Sequence, residues 1–441
     1  MIHRRTLLGT GALALSLAAS PAFAQPFLAT ADTILLPRSG SAPRVVIAGG
    51  GWGGLTAARH LREQVPEAEV IVVERNPFFW SCPLSNKWLV DVVNADFLMH
   101  DTATLSQRHG YHFVRADVTA IERDVKRVRT SLGSIDYDFL IVAGGIRDAW
   151  DRWFGNDREA AEFTRRSYGS AYVTGGEHVS IKQRIRDFKG GTFVMTLPPP
   201  PHRCPPSPYE RACMAAWSFK TRGIPAKIII LDPKPNIMPI GAGFRFAFEE
   251  LYPDIITHVP NAGIKSVDPY GRRISTEAGD FEFDEAILMP PHEAADMAWE
   301  AGLIDTGAEG PASKWAAIHP TLIHAKGDED VYVIGDTMGF VSPQFGFYPK
   351  SAHVANAFGG IVATYLAQRI RGEEVKVILP DNLCYMMVNA DPREAISVQF
   401  DYEIGPDGNI HQTQIDVDIR TPDLVEENFR WAARMFGDFL V

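Results

Sequence analysis

The chain has 441 residues, of which 46% are hydrophobic and 22% are charged, and its formal net charge is −11. A chain of this length can bury a large core, and a prior of roughly 150 residues per domain suggests about three domains. The acidic balance argues against nucleic acid and anionic membrane surfaces as partners, and four cysteines without a metal-ligand cluster are too few for a disulfide scaffold.

Residues 1–24 predict a cleavable export signal. Arg4 and Arg5 precede a modest apolar run that ends in small residues at Ala22 and Ala24. Such a run is too short to span a membrane, so we expect no membrane span in the mature chain. The paired arginines favour the twin-arginine (Tat) route, which exports folded proteins, and they therefore predict a periplasmic protein.

A βαβ unit follows at residue 43. A continuous apolar strand over Arg44–Ala48 leads into a G-x-G-x-x-G turn made by Gly49, Gly51 and Gly54, and then into an amphipathic helix. Glu74 ends the second strand, at the place where an acid accepts a hydrogen bond from a ribose hydroxyl. The unit predicts an α/β domain that binds a dinucleotide.

Three later stretches indicate which dinucleotide is bound. They are "DFLIVAGG", "FDEAILMPP" and "DVYVIGDTMG", the last of which contains Gly335 and Asp336. Together and in this order they resemble the flavin-disulfide reductase class, in which FAD lies on the first domain and such an acid bonds the flavin ribitol or phosphate region. The FAD assignment comes from this resemblance.

The second dinucleotide-type domain departs from that class in its phosphate loop. Its first predicted strand leads into four consecutive prolines, residues 198–201, instead of a glycine motif. Proline has no N–H to donate to a pyrophosphate, so NAD(P)H is disfavoured as the electron donor. An NAD(P)H-dependent flavin reductase stays an alternative.

Four segments narrow the resemblance. "FFWSCPLSNKWL", "HRCPPSPYERA", "VIGDTMG" and "NLCYMM" resemble the flavoprotein subunit of flavocytochrome c sulfide dehydrogenase, and the similarity runs over residues 43–435. The resemblance implies that Cys82 bonds the flavin 8α-methyl group through sulfur and that Cys204 is a redox cysteine beside the isoalloxazine ring. It also implies that Glu210 handles protons near that sulfur. On spacing alone, Cys82 and Cys204 are also compatible with structural thiols.

The second redox cysteine of that family is missing. It follows the Gly-Asp pair of the later FAD motif, where this chain has Thr337 and Met338. Cys213 is a possible substitute, although Cys213 and Cys384 are otherwise interpreted as core residues. Cys204 precedes a predicted helix, whose N-terminus would favour a thiolate. Cys204 therefore either acts alone as a low-pKa thiol or shapes the pocket while the donor reduces the flavin directly.

The predicted fold class is α/β: a two-dinucleotide-binding-domain, glutathione-reductase-like flavoprotein with a small C-terminal α+β interface domain. We predict an FAD-binding domain over 43–160 and 312–367, a second dinucleotide-type domain over 161–311, and the interface domain over 368–441. The last domain is expected to contain a strand at 395–404 and a helix at 425–436.

The predicted function is an FAD-dependent oxidoreductase of the sulfide-cytochrome c reductase type, acting in the periplasm. It would oxidise sulfide or another reduced sulfur or thiol donor and pass electrons to a c-type cytochrome subunit, since no C-x-x-C-H haem motif occurs in this chain. Phe429, Trp431 and Phe436 are candidate anchors for that partner. A flavin dehydrogenase for a non-sulfur donor and a non-catalytic accessory subunit are further alternatives.

Overall fold

The computed structural model describes residues 33–38, 40–173, 175–307 and 313–441. The predicted export signal, with Arg4 and Arg5, lies outside the described residues. The α/β fold class is confirmed, because two separate parallel sheets are flanked by helices and followed by a three-stranded antiparallel sheet. Among the described helices, none combines the length and the apolar character needed to cross a membrane.

The helices and strands follow one another in three groups along the chain. The first group is β1 Arg44–Ala48, α1 Trp52–Gln64, β2 Glu69–Glu74, β3 Phe78–Trp80, α2 Ser85–Leu89, β4 Met99–Asp101, α3 Thr102–His109, β5 His112–Arg115, β6 Val118–Glu122, β7 Arg127–Thr130, β8 Gly133–Asp136, β9 Phe139–Val142, β10 Ile146–Asp148, α4 Asp151–Phe154 and α5 Arg158–Tyr168. The second group is α6 Gly176–Asp187, β11 Gly191–Thr196, α7 Ser207–Thr221, β12 Ala226–Leu231, α8 Gly241–Leu251, β13 Ile256–Val259, β14 Ile264–Asp268, β15 Arg273–Thr276, β16 Gly279–Glu282, β17 Glu285–Ile287, β18 His292–Ala294 and α9 Asp296–Glu300. The third group is β19 His324–Ala325, β20 Asp328–Val333, α10 Ala352–Ile370, β21 Asn382–Ala390, β22 Arg393–Ile404, β23 Ile410–Thr421 and α11 Pro422–Leu440.

A six-stranded sheet in the order β19-β20-β9-β1-β2-β5 forms the first nucleotide-type unit. All its neighbours except β19 and β20 pair in parallel, and every residue of β1 is buried, as expected for a parallel sheet covered on both faces. α1 and α10 pack together on it, and a Cβ on Gly359 would lie 2.5 Å from the carbonyl oxygen of Gly53. The sheet therefore unites residues 44–142 with 324–333.

The second nucleotide-type unit is a four-stranded parallel sheet in the order β13-β12-β11-β17. β11, α7 and β12 form a βαβ unit, in which α7 follows the proline-rich loop. The two-stranded antiparallel ribbon β10-β18 connects the two units, as in a chain that crosses between domains and returns. The domain boundaries at 160, 311 and 367 stay predictions.

The C-terminal region is the antiparallel sheet β21-β22-β23 followed by α11. β22 contains the strand predicted at 395–404. α11 is longer than the predicted helix 425–436, because Thr421 accepts a hydrogen bond from the Leu424 N–H at 3.3 Å and Pro422 occupies the first helical turn. The apolar periodicity alone therefore places the start of this helix too late in the sequence.

The prediction that the aromatic side chains of α11 anchor a partner is wrong for Phe436. Its ring is buried and lies 4.9 Å from the ring of Trp52, at the start of α1. Phe429 and Trp431 are half-buried, and the Trp431 indole N–H donates to His353 at 2.9 Å. α11 therefore packs apolar side chains against the first nucleotide-type unit. Sequence periodicity alone could not show which of these side chains face that unit and which face solvent.

Candidate functional site

The glycine-rich turn between β1 and α1 has the geometry that the motif predicts. Gly49 has a φ of +116°, and a Cβ there would lie 2.4 Å from the carbonyl oxygen of Ala143. A Cβ on Gly54 would lie 1.9 Å from the carbonyl oxygen of Gly49, so only glycine lets helix and strand pack this closely. A Cβ on Gly51 would meet no atom within 4 Å, because this glycine faces an open cleft.

That cleft, which we call the nucleotide cleft, brings most of the predicted site residues together. α1 begins at its edge without a capping side chain and without an acidic residue in its first turn. The first N–H groups of α1 are therefore available to an anionic group, and the helix dipole favours phosphate there. The predicted residues that line the nucleotide cleft are Gly51, Glu74, Cys82, Cys204, Gly335 and Asp336.

Glu74 fixes the glycine turn from the end of β2. One carboxylate oxygen accepts the Gly50 N–H at 2.9 Å, and the other accepts the Asn76 N–H at 2.8 Å. The carboxylate still lines the nucleotide cleft, so it can also accept from a ribose hydroxyl. The predicted acid is thus in place for the adenosine end of a dinucleotide.

Asp336 lies at the other end of the nucleotide cleft, after β20. Its Oδ2 accepts from the Arg203 guanidinium at 2.5 Å, whereas its Oδ1 is buried and has no hydrogen-bond partner within the described residues. The indole N–H groups of Trp52 and Trp80, which also line the cleft, have none either. Buried polar atoms without partners are rare, so these three fit a polar ligand such as FAD in the cleft.

Cys82 lies in the wall of the nucleotide cleft, between β3 and α2. It is half-buried, its sulfur lies 4.0 Å from the carbonyl oxygen of Tyr172, and burial raises the pKa of its thiol. The sulfur therefore faces the space that a flavin would occupy. A thioether bond to the flavin stays a prediction.

Cys204 is held in a strained backbone conformation by the proline-rich loop. Its φ is +45°, in the left-handed region that costs a non-glycine residue roughly 1–2 kcal/mol. The Cys204 N–H donates to the Lys350 carbonyl at 2.7 Å, and the Cys204 carbonyl accepts the Ser207 N–H at 2.9 Å. Rigid prolines at 205 and 206 and these two bonds therefore fix the sulfur against the nucleotide cleft.

The expectation of a low-pKa thiol at Cys204 is wrong in this structure. Cys204 does precede the N-terminus of α7, but burial raises the pKa of its thiol, and the neighbouring Cys384 and Glu210 raise it further. Desolvation therefore outweighs the helix terminus.

A second cavity, which we call the apolar chamber, lies on the other side of Cys204. Its volume is about 500 Å³, and Cys204 and Lys350 line both this chamber and the nucleotide cleft. Lys350 donates to the carbonyls of Asp336 and Met338 at 2.8 Å each, and burial lowers its pKa to about 7. The apolar residues around the chamber are Pro200, Pro201, Pro205, Pro206, Met238, Pro239, Phe345, Phe347, Pro349, Val398 and Phe400.

Glu210 does not line either of these cavities. It is buried in the first turn of α7, where its carboxylate accepts from Lys87 Nζ at 2.6 Å, from the Asn86 side chain at 2.7 Å and from the Met387 N–H at 2.8 Å. These bonds fasten α2, α7 and β21 to one another. Glu210 therefore fastens the start of the helix that follows Cys204, and its role in handling protons stays a prediction.

The structure also shows what replaces the second redox cysteine. Thr337 donates its hydroxyl to the Gly145 carbonyl at 2.7 Å, and Met338 is buried. Cys213 is fully buried on α7, as predicted for a core residue. Cys384 is not a core residue, which corrects the prediction: it is half-buried on β21 and lines the apolar chamber.

The corresponding acid of the second nucleotide-type unit is Asp232, after β12. Its side chain is completely buried, and it binds Lys234 at 2.8 Å, His258 at 2.9 Å and the Tyr209 hydroxyl. No oxygen of this carboxylate is left to face a ribose. Sequence analysis missed Asp232, Arg203 and Lys350; the position of Asp232 directly after a βαβ unit was the available signal.

Two family models match the chain. The pyridine nucleotide-disulphide oxidoreductase model matches residues 43–168, and the model of the central region of the sulfide dehydrogenase [flavocytochrome c] flavoprotein chain matches residues 179–290. The first match covers the N-terminal part of the first nucleotide-type unit, and the second covers the region that contains Cys204 and Glu210.

Relatives and solved structures agree with this fold. The type II NADH:quinone oxidoreductase of Staphylococcus aureus is 21% identical over 358 residues, which cover 76% of this chain and 84% of the relative. The sulfide:quinone oxidoreductase of Aquifex aeolicus superposes with a TM-score of 0.69 at 18% identity, over 89% of this chain and 90% of that one. The NAD-dependent persulfide reductase of A. fulgidus superposes with a TM-score of 0.59 at 15% identity, over 90% and 77%.

The nucleotide cleft, the two parallel sheets and the family matches lead to the same assignment. The cleft offers a glycine turn, an uncapped helix N-terminus, an acid at each end and unpartnered polar atoms, all of which fit FAD. Residues 43–168 and 179–290 are similar to parts of known flavoprotein oxidoreductases, and together with the fold they support an FAD-dependent oxidoreductase.

Proposed function

We propose that this protein is a periplasmic dehydrogenase that oxidises a reduced sulfur compound and passes the electrons to a c-type cytochrome subunit. The observation that carries the proposal is the position of Cys204. Its sulfur lies in the wall between the nucleotide cleft and the apolar chamber, and a strained loop that contains no phosphate-binding glycines holds it there.

The apolar chamber supports a donor larger than sulfide. A water-sized species takes about 30 Å³ of liquid volume, whereas the chamber has a volume of about 500 Å³ and mostly apolar walls. Such a site suits an organic thiol with an apolar body, whose sulfur can reach Cys204 while its body displaces water from the walls. Sulfide would fit in the chamber, but it would gain little binding free energy from the apolar walls.

The flavin would supply the redox chemistry, because it accepts two electrons and can release them singly to a haem. The chain's own contribution is to hold FAD in the nucleotide cleft and to present Cys204 to the donor. Attachment of the flavin to Cys82 would suit a protein that works outside the cytoplasm. Acid precipitation should then leave flavin on the wild-type protein and release it from Cys82→Ser.

The function is tested by anaerobic mixing of the purified holoprotein with candidate donors while the visible flavin absorbance is followed. We expect an apolar organic thiol to bleach the flavin with a higher kcat/KM than sulfide. Gln414→Trp, at the rim of the apolar chamber, should lower kcat/KM for the organic thiol and leave that for sulfide unchanged. Gln399→Trp, exposed on β22 and away from the chamber, is the matched control.

For the cytochrome we propose a surface on β23 instead of the α11 aromatics. Ile415, Val417 and Ile419 alternate along this strand and are 50%, 40% and 76% exposed, which forms an apolar row on the outer face of the sheet. Ile419→Asp should reduce capture of a c-type cytochrome by the mature protein. Val125→Asp, at a valine in another part of the molecule that is 61% exposed, should not.

Export through the Tat route is also part of the proposal. Replacing Arg4 and Arg5 with lysine should leave flavin-loaded protein in the cytoplasm, whereas the wild-type mature protein should begin at Gln25. A periplasmic wild-type product that still begins at Met1 would contradict the cleavage site.

Reduction by NAD(P)H is the second candidate function, and the names of the NADH-linked relatives favour it. The geometry of Asp232 argues against it, since its carboxylate is buried and occupied by three donors. A dehydrogenase for a non-sulfur donor would use the same chamber. Rapid bleaching of the flavin by NADH would favour an NAD(P)H-dependent reductase. Bleaching of the Cys204→Ser variant by a donor without a thiol would favour a dehydrogenase for a non-sulfur donor.

A further inference from the structure

The apolar chamber differs in charge from the protein as a whole. The chain has a formal net charge of −11. Among the described residues that line the chamber, however, there are two lysines, Lys234 and Lys350, and neither an aspartate nor a glutamate. Apolar walls strengthen the field of a nearby charge, because they replace water of high dielectric constant. The chamber therefore attracts an anion, although the net charge of the protein repels one.

The two lysines lie in different parts of the chamber. Lys350 also lines the nucleotide cleft, as does Cys204, so both residues lie at the boundary between the two cavities. Of these two cavities Lys234 lines only the chamber, as do Met238 and Pro239 of the same loop between β12 and α8. A ligand whose sulfur reaches Cys204 therefore has Lys234 available for another part of the molecule.

The Lys234 ammonium is buried and has unused hydrogen-bond donors. The side chain is 9% exposed, and Nζ lies 2.8 Å from Asp232 Oδ1. An ammonium group can donate several hydrogen bonds, and no described residue other than Asp232 is placed to accept one from Nζ. Buried donors without acceptors are rare in folded proteins, so these N–H groups point to a ligand that supplies the missing acceptor.

Asp232 holds the ammonium in place without satisfying all of its donors. The carboxylate also lies 2.9 Å from His258 Nε2 and accepts a hydrogen bond from the Tyr209 hydroxyl, so one negative charge serves three partners. Burial lowers the pKa of Lys234, and Asp232 only partly offsets this effect. A second anion beside Lys234 would stabilise the charged ammonium further through a charge-assisted hydrogen bond.

We propose that Lys234 binds a negatively charged group of the ligand in the apolar chamber. The preferred donor is then a thiol that has an apolar body and a carboxylate, or a similar anion, at the end remote from its sulfur. The inference rests on the proposed function for the thiol, whereas the binding of an apolar anion does not depend on it. In the bound state the sulfur lies at Cys204, the apolar body covers the proline and phenylalanine side chains of the wall, and the anion accepts from Lys234.

The experiment compares two ligands of the same shape that carry no thiol. Hydrocinnamate has an apolar ring and a carboxylate, and hydrocinnamamide replaces the carboxylate with a neutral amide. Both are small enough for a chamber of about 500 Å³. Their affinities for the FAD-loaded mature protein are measured by equilibrium dialysis at neutral pH and low ionic strength. We expect hydrocinnamate to bind roughly tenfold more tightly, since only the carboxylate forms a charge-assisted hydrogen bond with Lys234.

A substitution at Lys234 tests whether the charge of this residue selects the anion. Lys234→Gln should lower the affinity for hydrocinnamate roughly tenfold and change that for hydrocinnamamide by less than about twofold. Lys227→Gln, at an exposed lysine on β12, is the matched control and should keep the preference for the anion. Retention of FAD shows that each variant is folded. If Lys234→Gln does not fold, the double variant Lys234→Met with Asp232→Asn removes both charges of the buried pair and should abolish the preference in the same way.

The outcomes separate this inference from the proposed function. A preference for hydrocinnamate that the Lys234 variant loses supports the inference, even if no thiol bleaches the flavin and the proposed function fails. Equal affinities for the two ligands in the wild type, or a preference that the Lys234 variant retains, overturn the inference, while bleaching of the flavin by a neutral thiol leaves the proposed function standing. Where both hold, a thiol with a terminal carboxylate should bleach the flavin with a roughly tenfold higher kcat/KM than its amide, and Lys234→Gln should remove that difference.

Discussion

The two βαβ units of this protein place opposite chemistry on equivalent loops. After β1 the chain turns on glycines, and α1 begins with free N–H groups that face the nucleotide cleft. After β11 it turns on prolines, and α7 begins with Pro206 as its N-cap and a further proline in its first turn. The first loop can hold a phosphate, whereas the second holds a cysteine.

The acids that follow the two units differ in the same way. Glu74 lies at the margin of an open cleft, and Asp232 is completely buried among three donors. A parallel sheet with its crossover helix is therefore a scaffold, and the residues at the carboxyl ends of the strands decide whether it binds a nucleotide. In the function proposed above, the second scaffold presents the sulfur of Cys204 to the flavin held by the first.

The largest expected effect is a loss of FAD binding after a larger side chain is introduced into the glycine turn that follows β1. Gly51→Val would place two methyl groups in the open space that Gly51 faces, without a clash that unfolds the chain. We expect the affinity for FAD to fall by roughly a thousandfold, about 4 kcal/mol, as measured by flavin retention on gel filtration with Cys82→Ser as the parent protein. Gly176→Val, at a helix start where a Cβ also meets nothing, is the control and should retain FAD.

The second loop, which carries Cys204, should be destabilised by a change at Glu210, the residue that fastens it, and not by changes within the loop itself. Glu210→Gln would leave the ammonium of Lys87 buried without a countercharge. We expect the free energy of unfolding in urea to fall by about 3 kcal/mol. The double variant with Lys87→Met should recover part of this loss. An unchanged urea midpoint in the single variant would show that Glu210 does not anchor the Cys204 loop.

The smallest expected effect concerns Glu177. Its carboxylate accepts the N–H groups of Ser170 and Val173, which flank the cleft-lining residue Tyr172. Burial, together with the charge of Asp148, raises the pKa of Glu177 from 4.5 to about 7. Between these pH values the folded protein keeps a proton that the unfolded chain has released, so the free energy of unfolding falls as the pH rises through this window.

Glu177→Gln should remove about 2 kcal/mol of that pH dependence, measured as urea unfolding at both ends of the window. Glu159→Gln, at an exposed position of α5, should leave the dependence as in the wild type. A wild-type stability that does not fall across the window would show that Glu177 is ionised in the folded protein.

The sequence predicted what is encoded locally. The glycine turn, Glu74 and the strand before Asp336 all follow from spacing within a few residues, and the structure has each of them at the nucleotide cleft. The position of Cys384 at the apolar chamber could not be predicted, because it depends on how β21 pairs with β22 and packs beside the distant proline-rich loop.

Two further differences have physical causes that local patterns do not report. The helix start after Cys204 predicted a low thiol pKa, but burial of the sulfur and the neighbouring Cys384 and Glu210 raise the pKa of the thiol. The periodicity of α11 identified its apolar side chains, but only the fold shows that Phe436 contacts Trp52.

The central claim is that the second unit contributes a sulfur that delivers electrons to the flavin of the first. The most direct measurement is the rate of anaerobic flavin bleaching by an organic thiol in the wild type, Cys204→Ser and the matched core variant Cys213→Ser. We predict that Cys204→Ser retains FAD but is no longer bleached, while Cys213→Ser is bleached at the wild-type rate. Bleaching of Cys204→Ser at the wild-type rate would contradict the claim and make Cys204 a structural residue.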